Sequence, residues 1–253
     1  MTRFLSLAIL AVLVVSLGCA NQQPVSTYIS PSRTTRATPP PAVNKVRDWE
    51  LPPRRTVKAP VPAPVAQAPA IGGIHRRSEW ANAGPIVSRL DPMGTPTRIT
   101  VHHEGDYASP MSQSYVCGHL RAIRTQQIKT KANGGLEAGD IAYHFIIDAS
   151  GSVWEGRSLQ YQGAHAGNSE ANRGNIGICL LGNFDAQPVP EAQKRALRGL
   201  LVSLMKRYNV PAGAVYTHRE VKRHYGLPAT ECPGRNLQAY VDGLRSELRV
   251  ASR

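Results

Sequence analysis

The chain has 253 residues, and its 30 Lys/Arg against 17 Asp/Glu give a formal charge of +13. Most of the excess lies early: residues 20–77 carry +7 and residues 78–253 carry +5, with Arg3 completing the total. Such a basic chain is drawn to anionic surfaces, but basic and aromatic residues are not interleaved and an export leader is present, which argues against nucleic acid as the partner.

The leader comes first. Arg3 supplies positive charge, Phe4 to Leu17 is almost wholly apolar, and Gly18-Cys19-Ala20 is small. That run has the length of a secretory h-region and is short of the roughly 20 residues that span a bilayer. Gly18-Cys19 looks like a bacterial lipobox, so residues 1–19 read as a signal whose Cys19 is lipidated; an ordinary cleaved signal or an uncleaved anchor are the alternatives. Residues 20–74 hold eleven of the twenty prolines. Proline fixes φ and removes a donor, and too few large apolar residues are present to offset ordering. This stretch therefore reads as a basic, disordered tether. About 175 residues remain, enough for one domain. Cys117, Cys179 and Cys232 are an odd number there, which excludes a complete disulfide framework and leaves a thiol for reaction or ligation.

Within residues 75–253, Arg98–His102 reads as a short strand and 111–131 as a helix with Val116, Leu120 and Ile123 on one face. Ala142–Asp148 reads as a strand turning through Asp148-Ala149-Ser150-Gly151 into Ser152–Glu155, a hairpin. Ile176–Leu181 is unbroken apolar sequence, the pattern of a buried strand. Pro190 opens a helix with Leu197, Leu200, Leu201, Leu204, Met205 and Tyr208 at three- and four-residue steps. Ala214–Thr217 is a strand that delivers His218, and a last helix over about 237–250 carries Leu237, Tyr240, Val241, Leu244 and Leu248. Strands alternating with helices predict one α/β domain, a mixed central sheet flanked by helices, preceded by the disordered linker.

Two histidines and a cysteine suit a zinc site with three protein ligands and an open fourth position. His102 precedes His218 by 116 residues and Cys232 follows by 14, so no compact ligand motif exists and spacing alone does not define a site. The segments Arg77–Trp80, Ile99–His103, Asp140–Ile147, Gly151–Arg157, Gly163–Gly167, Asn175–Phe184, Thr217–Glu220 and Thr230–Gly234 add to it. In this order they resemble the zinc-dependent N-acetylmuramoyl-L-alanine amidases, which share a fold with peptidoglycan recognition proteins and phage lysozyme-type amidases. The resemblance covers residues 77 to about 240.

It implies that His102, His218 and Cys232 are zinc ligands, that Tyr143 is the catalytic tyrosine, and that Thr230 stands where family members carry a catalytic Lys or Thr. Two neutral imidazoles and a thiolate leave a bound Zn2+ with a charge of about +1, which lowers the pKa of a water ligand towards about 7. Tyr143, read at the start of a strand with Phe145 and Ile147 on its face, can donate to an oxyanion. His103 and His144 point away from His102 and Tyr143 by strand alternation and read as supporting residues. His165, in a Gly-Ala-His-Ala-Gly loop, resembles a groove residue that touches substrate. Arg157 offers a fork for a stem-peptide carboxylate. Cys179 reads as a buried inert thiol, and His75, His119 and His224 as surface residues. The proton shuttle stays open among Tyr143, Thr230 and Glu231.

The implied activity is hydrolysis of the bond between N-acetylmuramic acid and L-alanine, by a monomer in the cell envelope, held to a membrane through Cys19 and facing peptidoglycan or muropeptides. A non-catalytic peptidoglycan-binding module is the alternative, and a membrane-surface or nucleic-acid adaptor built on the tether is a third. Stem-peptide specificity is not legible, because Leu136–Asp140 departs from the known specificity patterns.

Overall fold

The structure is a computed structural model that describes residues 73–106, 108–129, 131–132 and 136–251. The leader, Cys19 and the tether through residue 72 lie outside the described residues. The elements in chain order are β1 (Ile74–His75), α1 (Arg77–Trp80), β2 (Arg98–His103), α2 (Gln113–Lys129), β3 (Lys131–Ala132), β4 (Leu136–Glu137), β5 (Phe145–Ile147) and β6 (Val153–Glu155). They continue with α3 (Ser169–Asn172), β7 (Asn175–Leu180), α4 (Glu191–Tyr208), β8 (Val215–Thr217), α5 (His218–His224) and α6 (Arg235–Ala251).

A six-stranded sheet runs β1-β6-β5-β7-β2-β8, and β3 pairs with β4 apart from it. The neighbours are parallel except β5 and β6, the antiparallel hairpin. The sheet is thus mixed, as the alternation of elements implied.

Side chains alternate across the strands, and this divides the core. Ile99 and Val101 of β2, Phe145 and Ile147 of β5, and Ile176, Ile178 and Leu180 of β7 pack with α4 and α6 through Leu197, Leu200, Leu201, Leu204, Leu237, Val241 and Leu244. Each fully buried leucine of α4 contributes about 1.5–3 kcal/mol. The helix starts after Pro190 and stops at Asn209, whose φ of 53° closes it in the left-handed region. On the other face Val116 and Leu120 of α2 pack with Trp80, Ile141, Ile146 and Trp154. A smaller cluster, Ala166, Ala171 and Val221, covers part of that same domain with α3 and α5. The alternate residues of β2 and β7, Thr100, His102, Asn175, Gly177 and Cys179, are polar or small. They face away from the α4–α6 core.

Candidate metal centre

His102 sits near the end of β2, paired across the ladder with Cys179 of β7. It is fully buried. His218 is the first residue of α5, directly after β8. That junction is fixed twice: the Thr217 N–H donates to Glu220 Oε2 at 2.7 Å, and Thr217 Oγ1 donates to Gln238 Oε1 at 2.7 Å. Cys232 lies in the loop before α6. The Arg219 N–H donates to its carbonyl at 3.1 Å, its own N–H donates to Thr230 Oγ1 at 3.2 Å, and the His103 N–H donates to its sulfur at 3.4 Å. The loop closes tightly at Gly234, where φ is 85° and a Cβ would stand 2.6 Å from the Phe184 carbonyl carbon, so only glycine fits.

One ligand atom from each of His102, His218 and Cys232 lies within 4.8 Å of the others. Sulfur and nitrogen bound to one tetrahedral zinc stand about 3.6 Å apart; Cys232 Sγ and His102 Nδ1 are 3.7 Å apart. His218 Nε2 is buried with no hydrogen-bond partner among the described residues, and such a group costs about 1–3 kcal/mol if left so. The donor set and its spacing fit a borderline-soft cation such as zinc. His218 and Cys232 keep partial exposure while His102 has none, so the cluster is open on the α5 side.

Burial sets the protonation of these groups. It holds His102 well below the ordinary imidazole value, helped by His218, His165 and His103. It brings His218 down to about 4, with Lys222 and His103 adding repulsion. The Cys232 thiol is pushed up to about 12 by burial, against the opposing pull of the His103 N–H and Arg219. Two neutral imidazoles are thus ready to ligate at pH 7, and the thiol has one proton to lose.

The other candidate residues fall in different places. Tyr143 precedes β5 rather than starting it. The chain bends there: the Arg157 N–H donates to the Tyr143 carbonyl at 2.8 Å, and Gly156 passes so close that a Cβ would lie 2.3 Å from that oxygen. Strand alternation therefore fails, and Tyr143 does not share the face of Phe145 and Ile147. Its ring lies 5.2 Å from His102 and 6.3 Å from His165, centroid to centroid. Its hydroxyl donates to Cys179, and burial, with Cys179, Cys232 and Glu104 close by, raises its pKa well above the usual tyrosine value. For the same reason His144 does not turn away from the site; its ring is 5.9 Å from His165. It is structural nonetheless: Nε2 donates to the Tyr161 carbonyl at 3.0 Å and Nδ1 accepts the Gly177 N–H at 2.9 Å.

His165 and Arg157, read from the sequence as substrate contacts, have partners within the protein. Both are buried, at 5% and 4% exposure. His165 spends its ring nitrogens on His102 and on the Asn175 carbonyl. Arg157 donates to the carbonyls of Ile141 at 2.8 Å, Gln162 at 2.6 Å and Asp140 at 2.8 Å. Burial brings its pKa down to about 10. Thr230 stays partly exposed beside Cys232 and braces it.

His119 is not a plain surface residue. Its Nε2 is 2.5 Å from Glu104 Oε1, and the charge of Glu104 is felt at both Tyr143 and Cys179. Nothing in the sequence alone marked Glu104 except its place directly after the histidine pair. His75 stacks on Trp154 at 4.1 Å, and His224 packs between Tyr216 and Tyr225.

The mixed α/β sheet places the chain in a class of fold, and the comparisons with known proteins agree on it. The family model described as N-acetylmuramoyl-L-alanine amidase matches residues 92–235. The chain belongs to that family. It is 32% identical over 163 residues to peptidoglycan-recognition protein SC2 of Drosophila melanogaster, covering 64% of this chain and 80% of that protein. The crystal structure of Drosophila peptidoglycan recognition protein SD superposes with a TM-score of 0.55 at 30% identity, over 66% of this chain and 90% of that one. A complex of tracheal cytotoxin with recognition proteins LCa and LCx superposes with a TM-score of 0.54 at 26% identity, over 65% of this chain and 92% of that one.

Proposed function

We propose that this chain is a zinc-dependent amidase that hydrolyses the bond between N-acetylmuramic acid and L-alanine in peptidoglycan. The observation that carries the reading is the convergence of His102, His218 and Cys232 on one volume. A family member that only binds wall fragments has no need of a matched ligand set with a buried, unpartnered imidazole nitrogen. That related recognition proteins are solved with tracheal cytotoxin supports a wall fragment as the ligand.

Bound zinc would supply Lewis acidity to the scissile carbonyl and to the attacking water. The chain's own residues do the rest. His102 and His218 stay neutral, and Cys232 would release its proton to solvent as its sulfur ligates the cation. Tyr143, held protonated, turns its hydroxyl from Cys179 to the carbonyl oxygen and stabilises the charge that develops there. Thr230 is the second polar side chain at the rim of the cluster in this proposal. The same reading puts the enzyme outside the cytoplasm, monomeric, and tied to a membrane through lipidated Cys19 with residues 20–74 as the tether.

The test is digestion of muropeptides by the purified full chain, with and without a chelator, products read by mass spectrometry. Loss of 10²–10³-fold in kcat is expected for Tyr143→Phe with zinc content unchanged. Uncut muropeptide in the presence of bound zinc would instead make the protein a binding module. For the anchor, Cys19→Ser is expected to move the protein from the membrane fraction to the soluble one; no change in partition would refute lipidation.

A further inference from the structure

Beside the ligand cluster lies a buried histidine that no ligand role explains. His165 Nε2 is 3.1 Å from the backbone carbonyl of Asn175, and His165 Nδ1 is 3.0 Å from His102 Nε2. A carbonyl only accepts, so His165 Nε2 carries the hydrogen. In the neutral ring Nδ1 is then a lone pair and must accept. His102 Nε2 must therefore donate, which strips the proton from His102 Nδ1. That atom is the one 3.7 Å from Cys232 Sγ.

We propose that His165 is a positioning residue that sets the tautomer of His102, so that the Nδ1 lone pair of His102 faces His218 and Cys232. The inference deepens the zinc reading and rests on it for its purpose, but not for its geometry.

The surroundings hold His165 to that task. A Cβ at Gly177 would stand 2.4 Å from His165 Cδ2, and a Cβ at Gly163 would also stand 2.4 Å from it. The ring thus lies in a slot that two glycines leave open. The backbone is pinned as well: the Asn172 Oδ1 accepts the N–H groups of His165 and Ala166, both at 2.9 Å. The Asn175 whose carbonyl accepts this hydrogen bond is itself fixed, its side chain donating to the Ala171 carbonyl at 2.8 Å and accepting from Thr100 Oγ1 at 2.9 Å. Ligating histidines in general donate their second N–H to a partner that fixes ring and tautomer, and loss of such a partner costs about 10–100-fold in metal affinity. Here that partner is a third imidazole.

Two side chains separate the two ends of the relay. Asparagine can place a carbonyl oxygen where His165 Nδ1 now accepts; glutamine mimics only the Nε2 end. The test compares the full chain with His165→Asn and His165→Gln. The first readout is the histidine nitrogen spectrum of the zinc-free protein, which reports the tautomer of His102. The second is zinc affinity by competition with a chelator.

Wild type and His165→Asn are expected to show His102 protonated on Nε2 and to bind zinc within about threefold of each other. His165→Gln is expected to show mixed tautomers and zinc binding weaker by about 10–100-fold. A wild-type His102 protonated on Nδ1, or a His165→Gln protein that matches wild type in both readouts, overturns the proposal. Should wild type take up no zinc, the zinc reading fails while the tautomer still decides the relay.

Discussion

A buried cation at Arg157 has to answer for its desolvation, and it does so by donating to three backbone carbonyls. That fixes a prediction at the residue scale. Arg157→Ala leaves those carbonyls unpaired and is expected to destabilise the domain by about 3 kcal/mol or more. Arg157→Lys should recover little, because one ammonium cannot fork to three acceptors. Urea unfolding decides the matter: an unchanged midpoint, coupled with weakened muropeptide binding, would return Arg157 to the substrate. The sequence showed an arginine in a family motif but not its burial, since the acceptors come from residues 140, 141 and 162 and only the bend before β5 brings them together. Histidine numbers 102 and 165 teach the same lesson in reverse. The first was legible as a ligand only through resemblance, and the second as chemistry only once its distance to the first was known. The alternation rule misled at Tyr143 and His144 because it presumes a strand, and the chain is not one there.

Elements deliver the site residues, and the junction from β8 to α5 is the most exposed of these deliveries to a test. Glu220 accepts the Thr217 N–H and pairs with Arg245, whose two terminal nitrogens reach it at 3.0 and 2.8 Å. Those contacts outweigh the cost of its partial burial and hold its carboxyl below the usual range. Glu220→Ala removes the contact that starts α5 and leaves Arg245 with Asp242 alone among its acidic partners. A loss of about 1–2 kcal/mol is expected, with zinc affinity falling beyond what Tyr216→Phe, a control on the same strand, produces. Equal zinc affinity in both would show that α5 does not hold His218 in place. The long elements were plain in the sequence: α2, α4 and α6 each announce an apolar stripe, and β2 and β7 are continuous enough to read as central strands. Elements of two to four residues, β1, α1 and α3 among them, carry too few side chains to show a period. Their existence depends on contacts distant in sequence, such as the Trp80 indole donating to the Glu155 carbonyl at 2.7 Å.

At the scale of the molecule the fold keeps two of the three candidate ligands neutral. Burial of the sheet's polar face holds His102 well below its ordinary pKa and His218 at about 4, while the Cys232 thiol is raised to about 12. The sign follows directly. Between pH 6.5 and 5 both imidazoles of the folded, zinc-free protein stay neutral, and zinc displaces a single proton, that of Cys232. Affinity is therefore expected to weaken by about tenfold for each pH unit lost in that window. Exposed ligand histidines with ordinary pKa values near 6.5 would add their own protons, and the slope would climb towards three as the pH approached 5. Chelator competition at pH 6.5, 6.0, 5.5 and 5.0 separates the cases, and a slope of two or more would mean that burial does not keep the two imidazoles neutral. The same linkage ties the metal to the fold, since zinc at 100 times its Kd adds about 2.7 kcal/mol to the stability of the state that binds it. That increment should shrink as the pH falls at a fixed low zinc concentration, and thermal unfolding with and without zinc at pH 6.5 and 5.0 measures it. An increment that held constant between pH 6.5 and 5.0 would mean that binding displaces no proton, and would place the bound metal somewhere other than on Cys232.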